Sequence, residues 1–181
     1  MVNHKPIRVT IESMAHGGSG IAKHNKQVIF IPYTIPGEVL DARIIREKGR
    51  VAFGQGVTLH DASADRVYPQ CTHFGLGKCG RCQWQHIAYD AQLLLKQDVL
   101  ADQLDRIGGF PDADVLPVIP CQAQWGYLHQ ITFHITDDGQ MGLPSTDDGV
   151  LTLIENCHII HPDLMSLYDS LDLDFVGMTK L

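Results

Sequence analysis

The sequence predicts a β-rich α+β protein: a five-stranded barrel of the OB type, then a cysteine-rich loop, a helix and a small β-hairpin unit. Three observations predict it. Residues 6–60 hold about five short stretches of alternating apolar and polar residues, punctuated by Gly and Pro. Three of the five cysteines, Cys71, Cys79 and Cys82, then fall within twelve residues as C-x7-C-x2-C, with Gly75, Gly77 and Gly80 between them. Apolar residues next recur at three and four positions from Tyr89 to Ile107, the period of a helix. The boundary falls near residue 62, giving domains 1–62 and 63–181.

In the first domain Ile7, Val9 and Ile11 alternate with Arg8, Thr10 and Glu12, the pattern of a half-buried strand. Met14 to Gly20 is a glycine-rich loop. It lacks the Gly-Lys-Ser/Thr ending of a P-loop and precedes a strand instead of a helix, so it reads as a loop with positive φ angles and not as a nucleotide site. Val28 to Ile31 is a strand ended by Pro32, and Ile35-Pro36-Gly37 is a turn. Leu40, Ala42 and Ile44 form one face of the next strand. Val51, Phe53, Val57 and Leu59 supply the last, with Gly54 and Gly56 letting it bend. Of the aromatics Phe30, Tyr33 and Phe53, at least two are expected in the core.

Beyond the cysteines the helix carries Tyr89, Leu93, Leu100, Leu104 and Ile107 on a single packed side and stops at Gly108-Gly109. A connector from Phe110 to Pro120 follows. Tyr127, His129, Ile131, Phe133 and Ile135 are expected on one face of a strand, and Asp137-Asp138-Gly139 makes a hairpin turn. Val150 to Ile154 is a further strand leading into Cys157, and Pro162 starts a short helix carrying Leu164, Leu167 and Leu171.

Charge divides the chain. The net charge is −7, yet residues 1–60 carry eight Lys/Arg against four Asp/Glu, a surplus of +4, and residues 61–181 carry six against seventeen, or −11. Only the first part has an electrostatic footprint for a polyanion. Its candidate RNA-binding residues are Lys23 and Lys26 in one turn region and Arg43, Arg46, Lys48 and Arg50 along one strand and its turn. No apolar run is long enough to span a bilayer and the first residues have no apolar core of a signal peptide, so a cytoplasmic protein without membrane contact is expected.

The cysteines carry the sharper chemistry. Thiolates so close repel one another or oxidise unless cations hold them, and an odd count argues against a disulfide framework. Three converging sulfurs with a fourth from elsewhere build a soft-metal site or an iron–sulfur cluster. Cys157 is the first candidate for the fourth and Cys121 the competitor. Zinc remains open at this point, because His73, His86 and His158 lie close to the cysteines in sequence.

Two motif sets resemble a known family. Met14-Ala-His-Gly-Gly-Ser-Gly-Ile-Ala, followed by Val28-Ile-Phe-Ile-Pro-Tyr-Thr-Ile-Pro-Gly-Glu-Val-Leu-Asp-Ala-Arg43, resembles a TRAM domain, an OB-like unit of RNA-modifying enzymes. Arg66-Val-Tyr-Pro-Gln-Cys71, His73-Phe-Gly, Cys79-Gly-Arg-Cys82 and Gln85-His86-Ile, with Tyr89, Gln92 and Lys96, resemble the iron–sulfur signature of the RNA (uracil-5-)-methyltransferase family. Trp125-Gly-Tyr127, Gly142, Cys157 and His161-Pro162 follow in that family's order. The resemblance implies a [4Fe–4S] cluster on Cys71, Cys79, Cys82 and Cys157. It also implies ribosomal or transfer RNA as partner, and S-adenosylmethionine as cofactor of the parent enzyme on a catalytic domain that these residues do not include.

Three departures stand out. The first cysteine spacing is seven residues where the family usually has five, Cys-Gly-Gly-Cys is Cys79-Gly-Arg-Cys82, and Leu128-His129-Gln130 replaces Arg-Asn-Lys, losing two positive charges. A stand-alone RNA-binding module and a zinc-stapled interaction domain are the alternatives that the sequence leaves.

Overall fold

A computed structural model of the chain describes residues 5–136 and 139–171. They fall into two compact units: Met1–Tyr68 with His86–Ile119, and Pro69–Gln85 with Pro120–Leu181. Among the described residues no helix is long and apolar enough to cross a membrane.

The first unit is built on a six-stranded sheet. Its strands are β1 (Ile7–Thr10), β2 (Ser13–Met14), β3 (Gly20–His24), β4 (Gln27–Ile31), β5 (Val39–Lys48) and β6 (Val51–Asp61). They lie in the order β1-β5-β6-β4-β3-β2, antiparallel except for the parallel pair β4 and β6. The expected five-stranded barrel is thus a six-stranded open ladder with β1 and β2 at its ends. The chain crosses from one end to the other at Ile11-Glu12 by two bonds instead of a ladder: the Ile11 amide donates to the Glu38 carbonyl (2.9 Å), and the Glu12 amide to that of Ile21 (2.7 Å).

The core is aliphatic: Val9, Ile11, Ala22, Ile29, Ile31, Leu40, Ala42, Ile44 and Ala52. The alternations at residues 7–11 and 40–44 are therefore as expected. The last strand is not. Its inward residues are Ala52 and Gly54, while Phe53 is half-buried on the other face and Val57 and Leu59 are exposed. A Cβ at Gly54 would sit 3.2 Å from Ile29 Cγ2 and 3.3 Å from Ile31 Cγ1, so β4 already fills the space that bulk on β6 would need. The Asn25-Lys26 turn joining β3 to β4 has φ of 47° and 65°, the left-handed pair of a two-residue hairpin.

Helix α1 (Tyr89–Arg106) ends as expected: Gly109 takes φ 72°, and the Phe110 amide bonds back to the Leu104 carbonyl at 2.9 Å. Its expected packed side is shallow. Ala91 is its one buried residue, and Leu94, Leu100 and the following Ile107 are exposed, because apolar residues are distributed around the helix instead of along one stripe.

The second unit holds a three-stranded antiparallel sheet, β7 (His134–Ile135), β8 (Met141–Pro144) and β9 (Leu151–Leu153), and helix α2 (Pro162–Ser170). Its core is Cys79, Phe133, Leu143, Ile154 and Ile160. Only the end of the strand expected over residues 127–136 enters a ladder. Phe133 and Ile135 are buried as expected, but Tyr127 and His129 face outward, because Leu128 instead pairs with Ile160 in an isolated parallel bridge. The Asp137-Asp138 part of the expected turn lies outside the described residues. On α2 the packed residues are Leu164, Met165 and Tyr168, with Leu167 exposed, so the face is turned from the one expected.

Candidate nucleic-acid interface and cysteine pocket

Register places the basic residues of the first unit. Directly paired residues share a face of a sheet, and two rows cross four strands outside the core. One row is Lys23, Val28, Val51 and Lys48; the next is Ile21, Phe30, Phe53 and Arg46. Arg43, opposite Gln55, extends the same face. Lys26 and Arg50 occupy the turns beside the first row, where the Val28 amide donates to the Arg50 carbonyl at 3.0 Å. All six predicted residues are exposed. Lys23 is partly neutralised, since its Nζ bonds Glu12 Oε2 at 2.6 Å.

At least two of Phe30, Tyr33 and Phe53 are expected in the core from sequence, but two of the three are on this surface. Phe30 and Phe53 are half-buried outside the core cluster and stack with centroids 5.8 Å apart at 27°. The Arg46 guanidinium carbon lies 4.2 Å from the Phe53 centroid, a cation–π arrangement. A register shift between Ile44 and Arg46 puts Arg46 opposite Phe53. Alternation alone shows only that Phe53 is out of phase with Ala52. The alanine and glycine flanking it were the sign that it is the outward residue.

A second relation escaped the sequence altogether. Glu38, fully buried, accepts from Arg66 Nε (2.6 Å) and Nη2 (2.7 Å), and from the amides of Ile35 (2.9 Å) and Ser63 (3.2 Å). Burial alone would raise the Glu38 pKa, but the bonds from Arg66 and the two amides outweigh it and hold the carboxyl below its ordinary value.

In the second unit Cys71, Cys79, Cys82 and Cys157 line one pocket, together with His73, Phe74, Arg81, Gln85, Ile154, Asn156, His158 and Ile159. It opens about 330 Å³ of space, part of it continuous with solvent. The cysteine loop is anchored to the end of β8. The Gly80 amide donates to the Pro144 carbonyl (2.9 Å), the Thr146 amide to that of Lys78 (2.8 Å), and the Gly77 amide to Thr146 Oγ1 (2.8 Å). A Cβ at Gly80 would lie 3.3 Å from the Ser145 carbonyl oxygen, so glycine permits this close approach.

Burial pushes the Cys79 and Cys82 thiols up, and the neighbouring sulfurs, Cys157 and Cys71 among them, add to the shift. Gln85 opposes it at Cys82 by a hydrogen bond, and its Oε1 accepts from the Cys71 amide at 3.2 Å. Gln85 thus bridges the first and third cysteines, a role the sequence reading missed.

None of the five cysteines is in a disulfide. Cys121 is exposed and does not line the pocket; its thiol donates to the Ala123 carbonyl at 3.1 Å. His73 and His158 line the pocket, and His73 Nε2 accepts from the Glu155 amide at 3.4 Å. His86 does not line it. It is buried in the first unit, edge-on to Tyr33 at 6.1 Å. Among the described residues no three His, Cys, Asp or Glu side chains are grouped to hold a single metal ion.

The first unit matches a known domain type: the TRAM domain model fits residues 4–57. Relatives extend the likeness along the chain. A protein named as an uncharacterized RNA methyltransferase, from Halalkalibacterium halodurans, is 41% identical over 124 residues, covering 68% of this chain and 27% of that protein. Another so named, from Protochlamydia amoebophila, is 35% identical over 170 residues, covering 91% and 38%. The 23S rRNA (uracil(1939)-C(5))-methyltransferase RlmD of Nitrosococcus oceani is 29% identical over 175 residues, covering 94% and 39%. The crystal structure of the tRNA (uracil-54, C5)-methyltransferase of Pyrococcus abyssi in complex with S-adenosyl-L-homocysteine shares the fold. Its TM-score is 0.61 at 23% identity, covering 90% of this chain and 35% of that one. The chain spans about a quarter to two fifths of the length of these relatives. With the TRAM domain at its front, it belongs to the family of RNA methyltransferases that these relatives represent.

Proposed function

We propose that these residues are the RNA-binding and iron–sulfur portion of an S-adenosylmethionine-dependent RNA (uracil-5-)-methyltransferase that acts on ribosomal or transfer RNA in the cytoplasm. On this reading residues 1–62 act as an OB-like RNA-binding domain and residues 63–181 carry the cluster. The observation that carries it is the outer sheet face, where Lys23, Arg43, Arg46 and Lys48 share one surface with two stacked phenylalanines. Such a face suits a polyanion with flat bases. No residue of this stretch is assigned to S-adenosylmethionine or to the methyl transfer, and the stretch alone is not expected to catalyse it.

The cluster reading is supported by the donor set. Four thiols line the pocket, no carboxylate does, and sulfur is the ligand that iron–sulfur clusters take. Cys71, Cys79, Cys82 and Cys157 would hold the cluster, and the group would supply a covalent brace across the second unit. The cations would also offset the mutual repulsion of the thiolates.

The test is anaerobic purification of the 181-residue chain with iron, sulfide and zinc analysis, beside RNA binding across a salt series. Brown protein with roughly four irons per chain, and affinity that falls with salt, is the expected result. Colourless protein holding zinc alone, with no affinity for RNA, would overturn the proposal.

A further inference from the structure

Charge alone does not distinguish one RNA from another. The row Phe30, Phe53 and Arg46 can, and the inference drawn from it rests on the RNA-binding reading above. We propose that this row is a stacking platform for an unpaired nucleobase, so that the RNA taken by this face is single-stranded or looped, not duplex.

Three observations carry it. The two rings and the guanidinium are consecutive partners in register across β4, β6 and β5, which puts three flat groups in one line. Their geometry is that of a continuous surface, with rings 5.8 Å apart at 27° and the guanidinium carbon 4.2 Å from the Phe53 centroid. The register shift at Ile44/Arg46 makes the arrangement, because it drops Ile45 from the pairing and sets Arg46 opposite Phe53. Ile45 is left 63% exposed.

The charges complete the site. Among the described residues no carboxylate pairs with Arg46, in contrast to Lys23 and Arg66. Its guanidinium carbon lies 4.2 Å from the Phe53 centroid, and the side chain is exposed, within reach of a base. Lys48 and Lys23 in the neighbouring row, and Arg43 beyond, are placed to meet the phosphates on either side. A duplex keeps its base faces stacked inside and its A-form major groove too narrow for side chains. Basic side chains would bind it, but these flat groups would find nothing to stack on.

The test uses the 181-residue chain and an RNA strand of about twelve nucleotides carrying 2-aminopurine, a length within the range of one OB-type unit. The same strand annealed to its complement is the second probe. Wild type is expected to bind the single strand about tenfold more tightly than the duplex and to quench the 2-aminopurine.

Arg46→Lys keeps the charge and removes the plane. It should keep the salt slope of wild type, lose most of the preference for the single strand and quench less. Phe53→Leu, which keeps apolar bulk on the strand, should do the same. Equal affinity of wild type for strand and duplex, or an Arg46→Lys protein that matches wild type in preference and quenching, would overturn the platform while leaving RNA binding intact. No salt-sensitive binding to either probe would overturn the RNA-binding reading, and the platform with it.

Discussion

Glu38 and Arg66, 28 residues apart, form a two-point ion pair at the base of the sheet, with both Arg66 bonds shorter than 2.8 Å. Glu38 has no exposed surface, while the Arg66 side chain keeps 27% of its own. Arg66 Nη2 also donates to the Tyr33 carbonyl at 2.9 Å, where Tyr33 holds a left-handed φ of 62°. One side chain therefore neutralises a buried carboxylate and secures the turn between β4 and β5. Arg66→Ala leaves that carboxylate buried without its cation. It should destabilise the protein by about 3–5 kcal/mol, read from urea unfolding of wild type and variant. Arg66→Lys should recover only part of the loss, because an ammonium cannot make the two parallel bonds. A loss under about 1 kcal/mol for Arg66→Ala, the range of surface pairs, would show that the clamp is not what holds this turn.

His86 gives the first unit a pH dependence. Burial is the main cause that brings its pKa down from 6.5 to about 4; Arg66 lowers it further, while Glu38 and the Thr34 carbonyl oppose. Above the unfolded pKa both states carry neutral imidazole and the group is silent. Between about 6.5 and 4 the unfolded chain binds a proton that the folded one refuses, so stability falls as pH falls. The slope should approach 1.4 kcal/mol per pH unit in that window. His86→Gln should flatten it, measured as the difference between the two proteins' unfolding free energies at several pH values. Glu38, with a lowered pKa, adds a second loss in the same direction at more acid pH. Parallel curves for wild type and His86→Gln would mean that the histidine takes its proton without unfolding.

What could be read from the sequence follows from how local the signal is. Val9, Ile11, Leu40, Ala42 and Ile44 reach the core because period-two alternation is a property of a few neighbouring residues. The cysteines were legible for the same reason, and the pocket gathers the three clustered ones with Cys157, leaving Cys121 outside. Phe53 was not, since its direction depends on the neighbouring strand, where Ile29 and Ile31 occupy the space inside β6. Glu38 reads as one more polar residue after a turn. Nothing local announces that a partner 28 positions later will make its burial affordable. Helix α1 shows the converse: its period marks a helix correctly but does not say how deeply it packs.

The pocket makes unequal demands on its thiols. If it holds a cluster, the link from Cys82 to Cys157 closes a loop of about 75 residues, worth about 4.5 kcal/mol in the chain-entropy model before strain. Cys157→Ser should lower the iron and sulfide content of anaerobically prepared protein and bleach its visible absorption. Faster amide exchange through residues 70–160 should accompany the loss. Cys121→Ser should retain metal and stability, because its sulfur lies outside the lining. Full iron content in the Cys157→Ser protein would sink the ligand assignment, whatever the RNA-binding result.

Salt dependence separates the basic residues from one another. Each phosphate contact on a single strand contributes about 0.7 to the slope of log K against log salt. Arg43 and Lys48 stand exposed on the outer face without a carboxylate partner among the described residues. Replacing both by alanine should reduce the slope by about 1.4 and weaken binding most at low salt. Lys23 already bonds Glu12 at 2.6 Å, so Lys23→Ala should change the slope less than either of the others. Glu12→Gln should do the opposite, releasing the ammonium to a phosphate and tightening binding. Fluorescence anisotropy with a labelled single-stranded RNA over a series of salt concentrations reads all three. A slope that the Arg43/Lys48 double variant leaves unchanged would move the phosphate path off this face of the sheet.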